Sequence, residues 1–423
     1  MLEIQYLRQN SSEAISRLTL KTPDAGELIA AVLKLDEEKR ISQMALEEMQ
    51  ARINAASKET GDLYKAGKKQ EADKMKAETA SWKEELLKLE AAAGKAEQAL
   101  FDQLTLLPNL PDKSVPPGRT PQDNLVVHEE GTVPQLPEGC LPHWDLAKKY
   151  KIIDFETGVK VSGAGFPVYT GKGARLQRAL INFFLDKATE AGYTEIEPPI
   201  LINEASGFGT GQLPDKEGQM YFSGQDKLYL IPTAEVPITN MYRDTILDEE
   251  ALPVKNCGYT PCFRREAGSY GKDVRGLNRL HQFDKVEIVQ IQHPDKSYQT
   301  LQEMRNYVAG LLRMLELPFR ILKLCGGDMS FASALTFDLE VFSAAQKRWL
   351  EVSSVSNFET FQSNRMKLRF RQGKDKPRLA HTLNGSALAL PRIVAALLEN
   401  NQTPEGVRIP KALTAYTGFG YID

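Results

Sequence analysis

The densest run of chemistry-bearing residues is Thr260-Pro-Cys-Phe-Arg264-Arg265-Glu266-Ala-Gly-Ser, then a loop, then Arg279-Leu-His-Gln-Phe283-Asp-Lys285-Val-Glu287. Alternate residues of a β-strand share a face, so Arg264 and Glu266 are expected to point one way. Phe283, Lys285 and Glu287 are expected to share a face of a second strand. If the strands pair across the loop, cations, carboxylates and an aromatic ring meet in one patch. An ion-pair network on a solvated surface would give the same pattern. A nucleotide would also want this set: a ring to stack on the base, arginines to grip phosphate, and a carboxylate to accept from an exocyclic amine.

Two further segments carry suitable groups. Glu351-Val-Ser-Ser354 offers a carboxylate and hydroxyls that suit Mg²⁺ bound to phosphates. Strict alternation puts Glu351 and Ser354 on opposite faces, so joint action requires a bulge or turn. Thr382-Leu-Asn384-Gly-Ser386-Ala-Leu-Ala-Leu-Pro-Arg392 reads as a strand passing into a helix, with Pro391 near its first turn. Arg392 then sits at a helix start, where a lone structural cation is disfavoured and a bound phosphate would explain it. Cys140, Cys257, Cys262 and Cys325 form no CxxC pair, which points to a reducing compartment. Cys257, Cys262 and His281 could hold zinc, although buried strand cysteines are the simpler reading.

These groups need a scaffold, and 423 residues suffice for two or three domains. The net charge of −3 means that any nucleic-acid contact must come from a local basic stretch. No apolar run approaches ~18 residues and the N-terminus lacks a signal-peptide core, so a cytoplasmic protein without membrane contact is expected.

From about Asp24 to Leu107 the chain is rich in Ala, Glu, Lys, Leu and Met, and Pro is absent between Pro23 and Pro108. Val32, Lys39, Leu46, Ile53 and Thr60 form one row by sevens, with Leu28, Leu35, Ser42, Met49, Ala56 and Leu63 as its companion. A second helix repeats the pattern with Met75, Trp82, Leu89 and Ala96 interleaved with Thr79, Leu86, Ala93 and Leu100. This 3–4 spacing predicts two helices zipped along one face, reversing at Gly61 and Lys65-Ala-Gly67-Lys-Lys. Each would span on the order of 50 Å. A dimerisation or spacer coiled coil would have the same periodicity. Lys58, Lys65, Lys68, Lys69, Lys74 and Lys76 cluster near the tip, but Glu59, Asp62, Glu71 and Asp73 sit among them.

A Pro-rich linker, Leu107 to Gly118, follows. Beyond it Gly173–Ala191 and Leu301–Leu315 read as helices. Lys227–Pro232, Gly258–Glu266, Gln282–Gln292 and His381–Ala389 read as strands. There is no G-x-x-x-x-G-K-[ST] loop and no clear run of strand–helix units, so an α+β domain on an antiparallel sheet is expected.

Together these segments resemble the class II aminoacyl-tRNA synthetases, in the seryl-tRNA synthetase version. Gly192-Tyr-Thr-Glu-Ile-Glu-Pro-Pro199 resembles the first class II motif, at the dimer interface. Phe-Arg-Arg-Glu-Ala-Gly-Ser-Tyr-Gly with His-Gln-Phe-Asp-Lys-Val-Glu resembles the second, and the segment ending at Arg392 the third. Thr233-Ala-Glu235-Val-Pro resembles the serine-binding loop, Gly209-Thr-Gly-Gln-Leu-Pro is another family stretch, and the helical hairpin resembles the tRNA-binding arm. Arg265 stands where the family often has Ser, and Val352 where Ile is common.

The resemblance implies a tRNA-binding domain over residues 1–107 and a catalytic domain over 108–423. It assigns Arg264 to the α-phosphate, Glu266 to the adenine amine, and Phe283 and Arg392 to the two faces of the adenine. Arg279 joins the ATP site, and Glu351 and Ser354 would hold Mg²⁺. Thr233, Glu235, Glu287 and Ser386 would line the serine pocket. The implied partners are ATP, L-serine, tRNA(Ser) and a second copy of the chain, with tRNA(Sec) left open. Two rival readings are a paralogue that loads an amino acid onto a carrier protein and a non-catalytic RNA-binding homologue. The hairpin opposes the first, and the joint presence of phosphate, metal and amino-acid residues opposes the second.

Overall fold

The computed structural model describes residues 1–136, 138–215, 217–266 and 275–423. The chain divides into two compact units, Met1–Pro108 and Asn109–Asp423.

The first unit contains four helices: α1 (Ile4–Gln9), α2 (Ser11–Leu18), α3 (Ala25–Lys65) and α4 (Lys69–Thr105). At 1.5 Å per residue the two long helices extend roughly 60 and 55 Å. They pack along one face, and every position of the predicted seam is buried or half-buried, whereas Met44 and Leu87 outside it stand exposed. One partner helix cannot enclose a whole face, so full burial inside the hairpin is confined to residues such as Ile53, Ala56, Ala72, Thr79 and Ala93. Along the edges, Arg52 lies 4.0 Å over the Trp82 ring and Lys39 pairs with Glu97 at 3.0 Å. The reversal occupies Ala66–Lys68, inside the expected Lys65–Lys69 stretch, where Gly67 takes φ +77°, whereas Gly61 stays within α3. At the base α1 and α2 pack on α3 and bury Leu7, Ala14, Leu18, Ile29 and Val32 completely.

The second unit is built on an eight-stranded sheet. Its strands are β1 (Leu125–Glu130), β2 (Thr194–Glu195), β3 (Val254–Phe263), β4 (Gln282–Gln292), β5 (Phe319–Lys323), β6 (Leu335–Ser343), β7 (Arg348–Asn357) and β8 (His381–Ala389). Their order is β1-β5-β6-β7-β8-β4-β3-β2, antiparallel throughout except for the parallel β3/β2 pair. This is the expected α+β architecture. Helices α5 (His143–Lys149), α6 (Gly171–Glu190), α7 (Glu235–Asn240), α8 (Ser297–Met314) and α9 (Leu390–Asn400) accompany the sheet. No helix among the described residues is long and apolar enough to cross a membrane.

Strand β4 runs through the middle of the sheet and is buried from Lys285 to Gln292. Its polar residues therefore need partners inside the protein. On one face Gln290 donates to Tyr193 Oη at 2.7 Å and Gln292 to Thr300 Oγ1 at 3.0 Å. On the other, Lys285 and Glu287 pair at 2.6 Å.

Candidate active site

The buried Glu287 is the hub of a polar pocket. Ser386 is its register partner on β8 and approaches Glu287 Oε2 at 3.4 Å. Thr233, just before α7, donates to the same oxygen at 3.2 Å, and its Oγ1 accepts from the Glu235 N–H at 3.3 Å. Asn384, two residues before Ser386 and on the same face, donates through Nδ2 to Glu287 Oε1 at 3.0 Å and to Glu235 Oε2 at 2.9 Å. Gln362 donates to Glu235 Oε1 at 2.7 Å. Thr233, Glu235, Glu287 and Ser386 are thus brought together as expected.

Asn384, Gln362 and Lys285 complete the group without having been assigned to it in the sequence. Asn384 could have been found from its alternation with Ser386. Gln362 gives no sequence signal, because the fold alone brings it to Glu235.

Two carboxylates share this buried space, so their charges interact strongly. Burial first, and then the neighbouring Glu287 charge, lifts the Glu235 carboxyl to about 7. Asn384 Oδ1 is buried with no hydrogen-bond partner among the described residues. A small ligand bearing an ammonium and a hydroxyl would offset the carboxylate charges and give this oxygen the donor it lacks.

The second cluster lies at the other end of β4. Strands β3 and β4 pair with Cys262 opposite Phe283, and the Arg264 guanidinium lies 5.2 Å over the Phe283 ring. The expected alternation of Arg264 and Glu266 along a strand is not what places them, because β3 ends at Phe263. Backbone bonds hold the next residues instead, from the Arg264 N–H to His281 O at 2.9 Å and from the Arg265 N–H to Gln219 O at 2.8 Å. Glu266 follows with φ +47°, and its carboxylate meets Arg279 at 3.1 Å. Residues 267–271 of the same sequence run lie outside the described residues.

The difficulty with Glu351 and Ser354 is resolved by register. Ser354 faces Asp338, Ser353 faces Leu339 and Glu351 faces Glu340, which leaves Val352 as the extra residue of a β-bulge. Asp338 and Glu340 share a face of β6, so the bulge brings Ser354 and Glu351 to one side. Asp338 joins them unannounced by the sequence. Burial and then the Glu351 charge push its carboxyl well above the ordinary value, while Ser354 bonds to it. Its Oδ1 is buried without a partner among the described residues. Such an orphaned oxygen beside a carboxylate and a hydroxyl suits a hard cation that also binds phosphate.

Arg392 has a structural reason to sit at the start of α9, contrary to the argument from the helix dipole. It donates to Glu351 O at 2.7 Å and to Asn278 O at 3.1 Å, and lies 3.5 Å from the Glu351 carboxylate. These contacts offset the dipole and leave the guanidinium half-exposed beside the patch. The zinc reading fares differently. Cys257 and Cys262 are five residues apart on a regular strand and so face opposite ways, and the His281 ring bonds Tyr221 Oη at 2.8 Å.

Comparison with known proteins agrees with this arrangement. Residues 1–111 match the seryl-tRNA synthetase N-terminal domain, and residues 221–401 match the tRNA synthetase class II core domain (G, H, P, S and T). A serine–tRNA ligase of Salinibacter ruber is 49% identical over 100% of this chain and 99% of its own. That of Chlorobium luteolum is 46% identical with the same coverage. Among solved structures, the seryl-tRNA synthetase of Pyrococcus horikoshii complexed with ATP is 32% identical, covers 99% of both chains and superposes with a TM-score of 0.94. The M. kandleri enzyme in complex with A. aeolicus tRNA(Sec) shares the fold at 19% identity and a TM-score of 0.59, over 80% of this chain and 71% of its own. With both domains matched and relatives alike over the full length, the chain belongs to the seryl-tRNA synthetases, the class II ligases that join serine to tRNA.

Proposed function

We propose that this enzyme activates L-serine with ATP in the pocket around Glu287 and passes the seryl group to the 3′ end of tRNA(Ser). The observation that carries this reading is the continuity of the two clusters along β4. Phe283, Lys285 and Glu287 lead from the aromatic–arginine patch into the paired-carboxylate pocket, and Glu235 feels the charges of both Lys285 and Arg264.

Serine's ammonium would sit against Glu235 and Glu287, with Thr233, Ser386 and Asn384 completing the pocket. Phe283 would stack on the adenine and Glu266 would accept from its amine. Arg392 would leave the Glu351 carboxylate to meet phosphate while also covering the base, and Arg279, paired with Glu266, would join the ATP site. Arg264 would hold the α-phosphate. The serine carboxylate oxygen attacks the α-phosphorus as the bond to the β-phosphate oxygen breaks, and pyrophosphate leaves. The terminal ribose hydroxyl of the tRNA then attacks the seryl carbonyl, and AMP leaves with the bonding electrons. No side-chain nucleophile is needed, because positioning and stabilisation of charge on phosphorus oxygens supply the rate. Glu351 and Ser354, with Asp338 behind them, would hold Mg²⁺, which neutralises phosphate charge when bound.

A pocket whose buried groups require a hydroxyl rejects alanine or glycine by as much as ~10⁴–10⁵. Threonine keeps the hydroxyl and must be refused by a clash with its methyl group. The arm of α3 and α4 is the proposed tRNA contact, reaching the elbow and extra arm of tRNA(Ser) through backbone and shape. The tRNA(Sec) bound by the M. kandleri protein is a second candidate substrate. Homodimer formation is supported by the motif at Gly192–Pro199, next to which Ile200 and Leu201 present exposed apolar surface. Four free cysteines suit a reducing cytoplasm. The direct test is ATP–pyrophosphate exchange. Exchange that requires serine and is not supported by alanine or threonine fits the assignment, and exchange driven by another amino acid overturns it.

A further inference from the structure

The segment Arg275–Leu280 returns the chain into β4 and sets two side chains of the nucleotide patch. Arg279 holds Glu266 at 3.1 Å, and the Asn278 carbonyl accepts from Arg392 Nε at 3.1 Å. This limb is gripped from α5. The Leu277 N–H donates to His143 Nε2 at 2.8 Å, and the Arg275 guanidinium lies 4.5 Å over the ring of Trp144. Gly276, between these contacts, takes φ +65°, and a Cβ there would fall 2.2 Å from His143 Nε2. The imidazole therefore touches bare backbone, where no side chain would fit.

An imidazole nitrogen that accepts from a backbone N–H carries no proton, so the His143 proton sits on Nδ1. Nδ1 faces Glu399 Oε1 at 2.7 Å, and both side chains are fully buried. Glu399 also accepts from the His143 N–H at 2.9 Å, from Gln346 Nε2 at 3.0 Å and from Ser343 Oγ. Burial alone would raise the Glu399 carboxyl, but the bonds from His143 and Ser343 outweigh it and hold the group below its ordinary value. A buried carboxylate with several donors thus fixes the tautomer. Glu399 lies near the C-terminal end of α9, the helix that bears Arg392 in its first turn.

We propose that His143 is a positioning residue for nucleotide binding, offering its Nε2 lone pair to Leu277 and so placing the limb through which Asn278 and Arg279 aim Arg392 and Glu266. The proposal rests on the nucleotide reading of that patch. It gives a role to a residue that touches none of the reacting groups.

Two variants separate the ring nitrogens. In His143→Asn the amide stands near the Nδ1 position, so it keeps a donor for Glu399 and ends short of Leu277. In His143→Gln the amide oxygen reaches the Nε2 position and keeps the acceptor. We expect His143→Asn to raise the KM for ATP in serine-dependent exchange about tenfold, with the KM for serine within about twofold. Hydrogen exchange of the Leu277 amide should accelerate in the same variant. His143→Gln should return the KM for ATP to within about threefold of the parent and restore amide protection. If His143→Asn does not fold, Gly276→Ala attacks the same contact from the limb side and should give the same split between ATP and serine. The proposal is overturned if both histidine variants keep the parent's KM for ATP, or if both lower Tm and kcat alike with no difference in that KM. A parent protein silent in exchange would remove the nucleotide reading, and this role with it.

Discussion

The helical arm and the sheet unit bury side chains by different rules. In the arm, each shielded residue meets neighbours that repeat every three or four positions, and contact is made along one stripe between two helices. In the sheet unit, Glu287 is enclosed by Lys285 of its own strand and by Thr233, Asn384 and Ser386 from two distant stretches of the chain. The arm is a repetitive object with a thin core. The pocket is a single arrangement of polar groups that must all find partners. A lost contact in the arm should therefore be local and modest, whereas a lost partner in the pocket should be severe.

Glu287→Ala offers the sharpest contrast, because it removes the carboxylate at the centre of the pocket and leaves Lys285 buried and unpaired. Serine-dependent exchange should fall by about 10³-fold or more. Near-normal exchange would take Glu287 out of the pocket. Deleting Glu27–Gln103 tests the other region. Exchange should stay within about threefold while charging of tRNA falls by at least about 100-fold. Persistent charging would make the arm structural only.

The raised Glu235 carboxyl gives the third test. The folded site keeps a proton up to about pH 7, whereas the unfolded chain loses it at the ordinary carboxyl value. The folded state therefore binds more protons between those values, and this site's contribution to stability falls as pH rises through that window. Binding an ammonium requires that proton to leave, so kcat/KM for serine should drop about tenfold per unit as pH falls below about 7. In Glu235→Gln this limb should vanish on a lower baseline. A flat profile in the parent would place the ammonium elsewhere. The smallest effect belongs to the arm, where Ile53→Ala should cost about 2 kcal/mol of stability by denaturant unfolding of the arm unit and leave exchange untouched.

The same contrast explains what could be read from the sequence. The seam from Leu28 to Leu100 and the reversal within Lys65–Lys69 were legible because helical contacts recur at fixed spacing and turn residues interrupt them, whereas Gly61 lies inside α3, since a single glycine is tolerated within a long helix. Strands Gln282–Gln292 and His381–Ala389 were legible to the residue, as apolar and β-branched runs bounded by turn residues. The roles expected of the site residues came mainly from the resemblance, not from strand alternation. Alternation failed at Glu266, where backbone bonds to His281 and Gln219 replace the strand, and it failed at Glu351, where Val352 forms a bulge. Both depend on pairing with distant segments, which no local pattern encodes. Asp338 and Gln362 were missed for the same reason, since their positions appear only when strands and loops are set side by side, whereas Asn384 shares a strand face with Ser386.

The most direct test of the account is charging of total bacterial tRNA with labelled serine, run beside labelled threonine and alanine. Charging with serine alone is the predicted result, uniting activation, specificity and the tRNA partner in one readout. Absence of charging alongside serine-dependent pyrophosphate exchange would contradict the tRNA assignment and favour a carrier-protein acceptor, and silence in both would contradict the catalytic account itself.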